Sequence, residues 1–135
     1  METGSCLCGT VHYNFDRASI ISIGHCHCYD CQKATGSGKA TVIFLPTDQL
    51  VIIGAFKTYT VVGKQGRHVR RGFCAECGSP FLTEIEEQPE LCAIKAGSLD
   101  DSSWVQPDTN YWISTAQPWA PVDSSLKSFE QIGDR

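Results

Sequence analysis

The chain has 135 residues, 41% of them apolar and 19% charged, which describes an ordinary globular protein and excludes a disordered one. Its formal net charge of −4 gives no global electrostatic pull toward nucleic acid or anionic lipid, and no apolar run approaches the ~20 residues of a membrane span. Met1–Ser5 has neither a basic region nor a hydrophobic stretch, so no export signal is read there and the reducing cytoplasm is the expected compartment.

In chain order, most segments read as short strands between turn signals. Thr10–Phe15 alternates, with Val11, Tyr13 and Phe15 on one face and Thr10, His12 and Asn14 on the other. Asp30–Ala34 reads as a short helical turn stopped by Gly36, with Cys31 at its start. Ala40–Leu45 and Leu50–Ile53 are apolar runs separated by Pro46-Thr47-Asp48. Phe56–Val62 alternates again, and His68–Phe73, Pro80–Ile85 and Leu91–Ala96 are further strand candidates bounded by Gly, Pro or acidic clusters. Ser124–Ile132 carries Leu126, Phe129 and Ile132 at helical spacing and reads as a short helix. No repeat, linker or low-complexity segment interrupts the chain, so residues 1–135 are expected to form one mainly β domain.

Eight cysteines dominate the chemistry. Cys6-Leu7-Cys8-Gly9 precedes the first alternating run, Cys26-His27-Cys28-Tyr29-Asp30-Cys31 packs three thiols together, and Cys74-Ala75-Glu76-Cys77-Gly78 follows a strand. C-x-C and C-x-x-C steps would close strained disulfide rings but suit a single metal ion, the usual role of clustered cysteines in a reducing compartment. Tetrahedral zinc accommodates an assignment of two ions per chain. Cys6, Cys8, Cys74 and Cys77 complete a closed structural site. Cys26, Cys28 and Cys31 form a three-thiolate set, which spacing alone leaves either open or closed by His25, His27 or His68. His27, lying between two ligands, reads as a polar strand or turn residue pointing away from the metal. His12 needs no special role, and Cys92 between Leu91 and Ala93 reads as a small buried hydrophobe.

A three-thiolate zinc centre is a weak Lewis acid whose natural fourth ligand is another thiolate. An open position could equally hold water for hydrolysis, and two closed sites would make a non-catalytic binding module. Deamination is excluded, because no H-x-E accompanies a P-C-x-x-C.

Five stretches carry a family resemblance: Gly4–Val11, Cys26–Lys33, Phe73–Pro80, Ala96–Asp100 and the tail Trp112–Trp119. In this order the chain resembles the glutathione-dependent formaldehyde-activating enzymes, a family that includes the centromere protein V. The resemblance implies a β-rich Mss4-like fold, a structural ion on Cys6, Cys8, Cys74 and Cys77, and a catalytic-type ion on Cys26, Cys28 and Cys31. It favours the open reading of the triple and a carbon–sulfur lyase activity, the reversible condensation of glutathione with formaldehyde to S-hydroxymethylglutathione. The partners it implies are a small thiol and a small aldehyde. Where many relatives carry a histidine before the aromatic pair, this chain has Asn110-Tyr111-Trp112.

The basic run Lys64–Arg71 reads first as a solvated strand face. As a function, Lys33, Arg67 and Arg70 are the candidates for holding the carboxylates of glutathione, Arg by bidentate pairing. Lys39 is a further candidate cation, and Asp100 and Asp101 are candidates for acid–base help or for a simple turn. Trp104, Tyr111, Trp112 and Trp119 are expected in the core or a cleft wall.

Overall fold

The computed structural model describes residues 1–131. The strands are β1 (Glu2–Ser5), β2 (His12–Phe15), β3 (Ser22–Cys26), β4 (Ala40–Pro46), β5 (Val51–Ile53), β6 (Phe56–Val62), β7 (His68–Cys74), β8 (Pro80–Ile85), β9 (Leu91–Lys95), β10 (Thr109–Tyr111) and β11 (Lys127–Ser128). One α-helix, α1 (Tyr29–Thr35), interrupts them. The expected mainly β architecture with little helix is therefore what the chain adopts.

Two sheets form. The smaller is antiparallel in the order β1-β2-β5, and the larger runs β11-β10-β3-β4-β9-β8-β7-β6. The alternation through β2 and the residue before it acts between them: Val11, Tyr13 and Phe15 are buried, while His12 stays exposed. They pack with Ile23, Ile43, Leu45, Leu82 and Ile94 of the large sheet in the main core. Burying each such side chain contributes about 1.5–3 kcal/mol. A second cluster, containing Val42, Phe44, Ala93, Trp112 and the three cysteines 26, 28 and 31, occupies other positions of the same strands. Alternating residues of β4 thus serve both clusters, which is why that strand reads as a continuous apolar run.

The tail departs from expectation. Ser124–Ile132 is not helical among the described residues: Lys127–Ser128 pairs in parallel with β10, and Ile132 lies outside the described residues. The reason is local. Asp123 Oδ1 accepts from the Ser125 backbone and hydroxyl, a turn that competes with a helix start. The Phe129 N–H then bonds to the Asn110 carbonyl, and its ring stacks on Tyr111. Trp119, expected in a core or cleft wall, is 67% exposed.

Among the described residues, no helix is long and apolar enough to cross a membrane.

Candidate metal centres and active site

The four-cysteine set is built from two turns of the same kind. Cys6 and Cys8 lie between β1 and β2, while Cys74 ends β7 and Cys77 lies in the turn to β8. Gly9 and Gly78 follow the second cysteine of each pair at φ of 80° and 76°, a left-handed conformation that a side chain would strain. These turns aim backbone amides at sulfur: Val11 N–H at Cys6 (3.3 Å), Glu76 N–H at Cys74 (3.3 Å) and Cys77 N–H at Cys74 (3.5 Å). Amides directed at sulfur favour thiolates, the form that binds metal. Hydrogen bonds from Ser79 are the first cause holding the Cys77 thiol down at about 5.

The spacing tests the fit to an ion. Tetrahedral zinc with Zn–S bonds of ~2.3 Å requires S···S separations of about 3.8 Å. Cys6 and Cys8 stand 3.6 Å apart, and Cys8 and Cys74 3.8 Å. All four sulfurs lie within 4.8 Å of one another. The set fits a tetrahedral metal, which would tie the small sheet to the large one.

The three-cysteine set forms where β3 ends and α1 begins. Cys26 closes β3 opposite Ala40, Cys28 caps α1 with its sulfur accepting the Cys31 N–H at 3.3 Å, and Cys31 sits in the first turn. Gly36 stops the helix at φ 70°. The tail holds this corner: His27 N–H bonds to Tyr111 O, and Thr115 Oγ1 and Gln32 Nε2 both donate to His27 O. The three sulfurs also lie within 4.8 Å of one another, and among the described residues no histidine or carboxylate joins either group. His25 instead meets Thr41 Oγ1 at 2.8 Å, and burial, with Lys39 next, pushes its imidazole down to about 4. His68 is on the surface against Glu87. His27 lies in the connection between β3 and α1, fully buried and outside the cysteine set, and burial lowers its pKa.

Two cations face the triple. Arg71 Nη2 stands 4.0 Å from Cys31 Sγ. Lys95, nine-tenths buried, donates to Thr83 Oγ1 at 2.7 Å. Thr83 is the register partner of Arg71, so both cations converge on one face of the sheet. Hydrogen bonds from Cys26 and Cys28, then Lys95 and Arg71, hold the Cys31 thiol well below its ordinary value. Hydrogen bonds with Cys28 and then Cys31, together with burial, push Cys26 up, so proton and charge are shared within the cluster.

A cavity of about 380 Å³ opens on this set, with Cys28, Asp30, Lys64, Arg71, Trp112 and Thr115 in its wall. Trp112 reaches it from a left-handed backbone, φ 60°, unusual for so large a residue. A second cavity of about 490 Å³ holds Lys39, Lys95, Ser98 and Asp100 and touches Cys6, but none of the three cysteines.

The structure places the other candidates as follows. Arg70 pairs with Glu84 and Glu86, Arg67 Nη2 donates to Gln88, and Lys33 is exposed on α1; none of the three lines the cavity at Cys28. Asp100 accepts from Thr3 and Ser5, and Asp101 from Ser103. Asn110 is fully buried and donates to the Asp123 carbonyl and Ser128 Oγ, a structural tie for the tail. Cys92 is buried in the main core, as expected. Sequence reasoning missed Asp30 as a cavity residue and, within the basic run Lys64–Arg71, singled out Arg67 and Arg70 where the cavity holds Lys64 and Arg71. The alternation of β7 turns adjacent arginines to opposite faces, but which of the two meets the cysteines is set by its pairing with β8.

Compared with known proteins, residues 1–115 match the family described as glutathione-dependent formaldehyde-activating enzyme. The chain belongs to that family. Among the solved structures, it is similar to the crystal structure of a Rhodobacter sphaeroides protein, at 21% identity and a TM-score of 0.57, covering 78% of this chain and 91% of that one. That likeness speaks to the fold alone. No curated protein matches. The family joins glutathione and formaldehyde to a chain whose two cysteine clusters fit metal binding.

Proposed function

We propose that this member of the family is a carbon–sulfur lyase that reversibly adds glutathione to formaldehyde, giving S-hydroxymethylglutathione. The observation that carries this reading is a three-sulfur set that no histidine or carboxylate joins among the described residues, with Cys28 opening onto a cavity that also holds Arg71. We assign zinc to both cysteine sets, on the softness of an all-sulfur donor set and the tetrahedral spacing. A zinc ion on Cys26, Cys28 and Cys31 would supply the electrophile that keeps a substrate thiol ionised at neutral pH.

The protein's own residues do the rest. About 380 Å³ is within the range of small-molecule sites and suits a tripeptide thiol. Lys64 and Arg71 offer cations for its carboxylates, and Trp112 supplies an apolar wall. Attack of the sulfur on formaldehyde forms the C–S bond while the C=O π pair becomes the product's alkoxide. The proton lost by the thiol ends on that oxygen, and in this reading Asp30 relays it. Atoms and electrons balance without an oxidant or reductant. We read residues 1–135 as one domain working in the reducing cytoplasm.

The test is exchange between glutathione and ¹³C-formaldehyde followed by NMR with the zinc-loaded protein. The expected result is exchange above the spontaneous rate, abolished in Cys28→Ser while the fold persists. No acceleration, together with a cobalt-substituted spectrum indifferent to glutathione, would overturn the proposal in favour of a non-catalytic metal-stabilised module. No exchange, but thiol-independent hydrolysis of another small substrate, would point to a hydrolase.

A further inference from the structure

We infer that Arg71 makes the three-cysteine centre select an anionic fourth ligand over a neutral one. The inference deepens the proposed function and rests on it for the identity of the metal.

Charge is the starting point. Three thiolates and a divalent ion sum to −1, and a fourth thiolate takes the centre to −2 at the edge of the apolar cluster containing Phe44 and Trp112. Such a charge is costly to hold away from water unless cations stand beside it. Two do. Arg71 reaches to 4.0 Å from Cys31 Sγ and shares the cavity wall with Cys28. Lys95 meets Arg71 again in the wall of a smaller cavity of about 230 Å³. With both counted, a four-thiolate centre is electrically neutral.

The contrast with its neighbour in the chain marks Arg71 out. Arg70 faces two carboxylates, Glu84 and Glu86. Among the described residues neither Arg71 nor Lys95 forms an ion pair with a carboxylate, and the Nε of Arg71 is buried without a hydrogen-bond partner. Arg71 as a whole is half-buried, and a guanidinium is a fixed positive charge. Its uncompensated charge therefore faces the cysteine set and the adjoining cavity. An incoming thiolate is favoured there, whereas water or imidazole gains little.

The experiment titrates the cobalt-substituted protein with glutathione, thiocyanate and imidazole, reading the visible spectrum at fixed pH. A unit charge removed from about 5 Å changes anion affinity on the order of ten- to a hundred-fold once solvent screening at the cavity mouth is allowed for. Arg71→Met should therefore lose about ten-fold or more for both anions and keep its imidazole affinity within about two-fold. Arg71→Lys, which keeps the charge, should stay near the parent, and Lys57→Met, an exposed charge on β6, should change nothing. Arg71→Gln replaces Arg71→Met if the latter fails to fold. Equal anion affinity in parent and Arg71→Met, or a parallel loss for imidazole, overturns the inference. So does an Arg71→Lys variant as weak as Arg71→Met. A parent that takes thiocyanate in an Arg71-dependent way yet ignores glutathione overturns the proposed function and leaves this inference standing. Glutathione binding that is indifferent to Arg71 does the reverse, and a parent that takes neither anion overturns both.

Discussion

Replacing Cys8 by serine isolates what a metal on the four-cysteine set does for the fold. Cys8 is exposed, so the substitution leaves no cavity and buries no hydroxyl. What it removes is one ligand of a cross-link between two turns far apart in sequence. Cys8 and Cys74 are 66 positions apart, and the loop-closure relation for a ring of that size gives about 4 kcal/mol of lost constraint on the unfolded chain. That is a lower bound, because structural zinc sites contribute about 10 kcal/mol or more of folding free energy. Against a typical total of roughly 5–15 kcal/mol, the first figure is a large share of the stability and the second most of it. The three-cysteine set spans only Cys26 to Cys31, and the same relation gives it about 2 kcal/mol. Thermal melts of zinc-loaded parent, Cys8→Ser and Cys28→Ser, each with and without a chelator, separate the two. Cys8→Ser should melt about 10 °C or more below the parent, and Cys28→Ser by about half as much or less. A Cys8→Ser melt within ~2 °C of the parent would refute the cross-link argument. So would a Cys28→Ser variant that falls further than Cys8→Ser.

Three further outcomes follow from individual contacts. Gly24→Ala should cost about 1–3 kcal/mol in chemical denaturation. An added Cβ would lie 2.6 Å from the Tyr111 ring, which Phe44 and Phe129 hold in place, and 3.3 Å from the Thr109 carbonyl. Thr83→Val should cost about 1.5–3 kcal/mol, because the buried Lys95 ammonium loses the hydroxyl that accepts from it. Thr83→Ser, which restores the oxygen, should recover most of that loss. Hydrogen bonding to Glu87, then its charge, raises the His68 pKa, while the same contact holds Glu87 at about 2. The pair is thus complete between these limits. Its contribution fades as pH rises through the elevated His68 value, and again as pH falls toward 2. An NMR titration should find His68 above its ordinary 6.5, and Glu87→Gln should bring it down.

How much of this was legible in the chain depended on whether each strand met water on one face. Phe56–Val62 and Pro80–Ile85 are the strands the pattern marks, with the same ends. β3 went unrecognised because Ile23, Gly24 and Cys26 are buried, so Ser22–Cys26 shows no clean alternation. Its partner β10 pairs with it in parallel across more than eighty residues, and a three-residue strand leaves no periodic signal. β1 is only one residue longer, with Gly4 pressed against the Tyr13 ring and the Ser98 carbonyl so closely that a Cβ would meet them at 2.3 and 2.6 Å. The tail shows the converse error. Helical spacing of Leu126 and Phe129 was real, but tertiary contacts of Phe129 with Asn110 and Tyr111 decided the backbone.

The site was legible to the extent that its chemistry is local in sequence. Cys26, Cys28 and Cys31 come together through one strand end and one helical turn, and the knuckles carry their own glycines, so spacing suffices for the sulfurs. The cations are another matter. Choosing between Arg70 and Arg71 needs the facing of β7, and a shift of one residue exchanges the two. That facing is set by the Arg71–Thr83 and Thr83–Ala93 register, hence by β8 and β9, which no local pattern around residue 70 encodes. Lys95 is harder still, since a lysine ending an apolar strand reads as a solvated terminus. Yet it lies opposite Val42, one strand away from Gly24 and Cys26. The thiolates make a buried ammonium tolerable there, and the ammonium and Arg71 in turn make a fourth thiolate tolerable. Charges and ligands therefore have to be read as one unit: a variant that neutralises Arg71 should change which ligand the sulfurs accept before it changes whether they hold a metal.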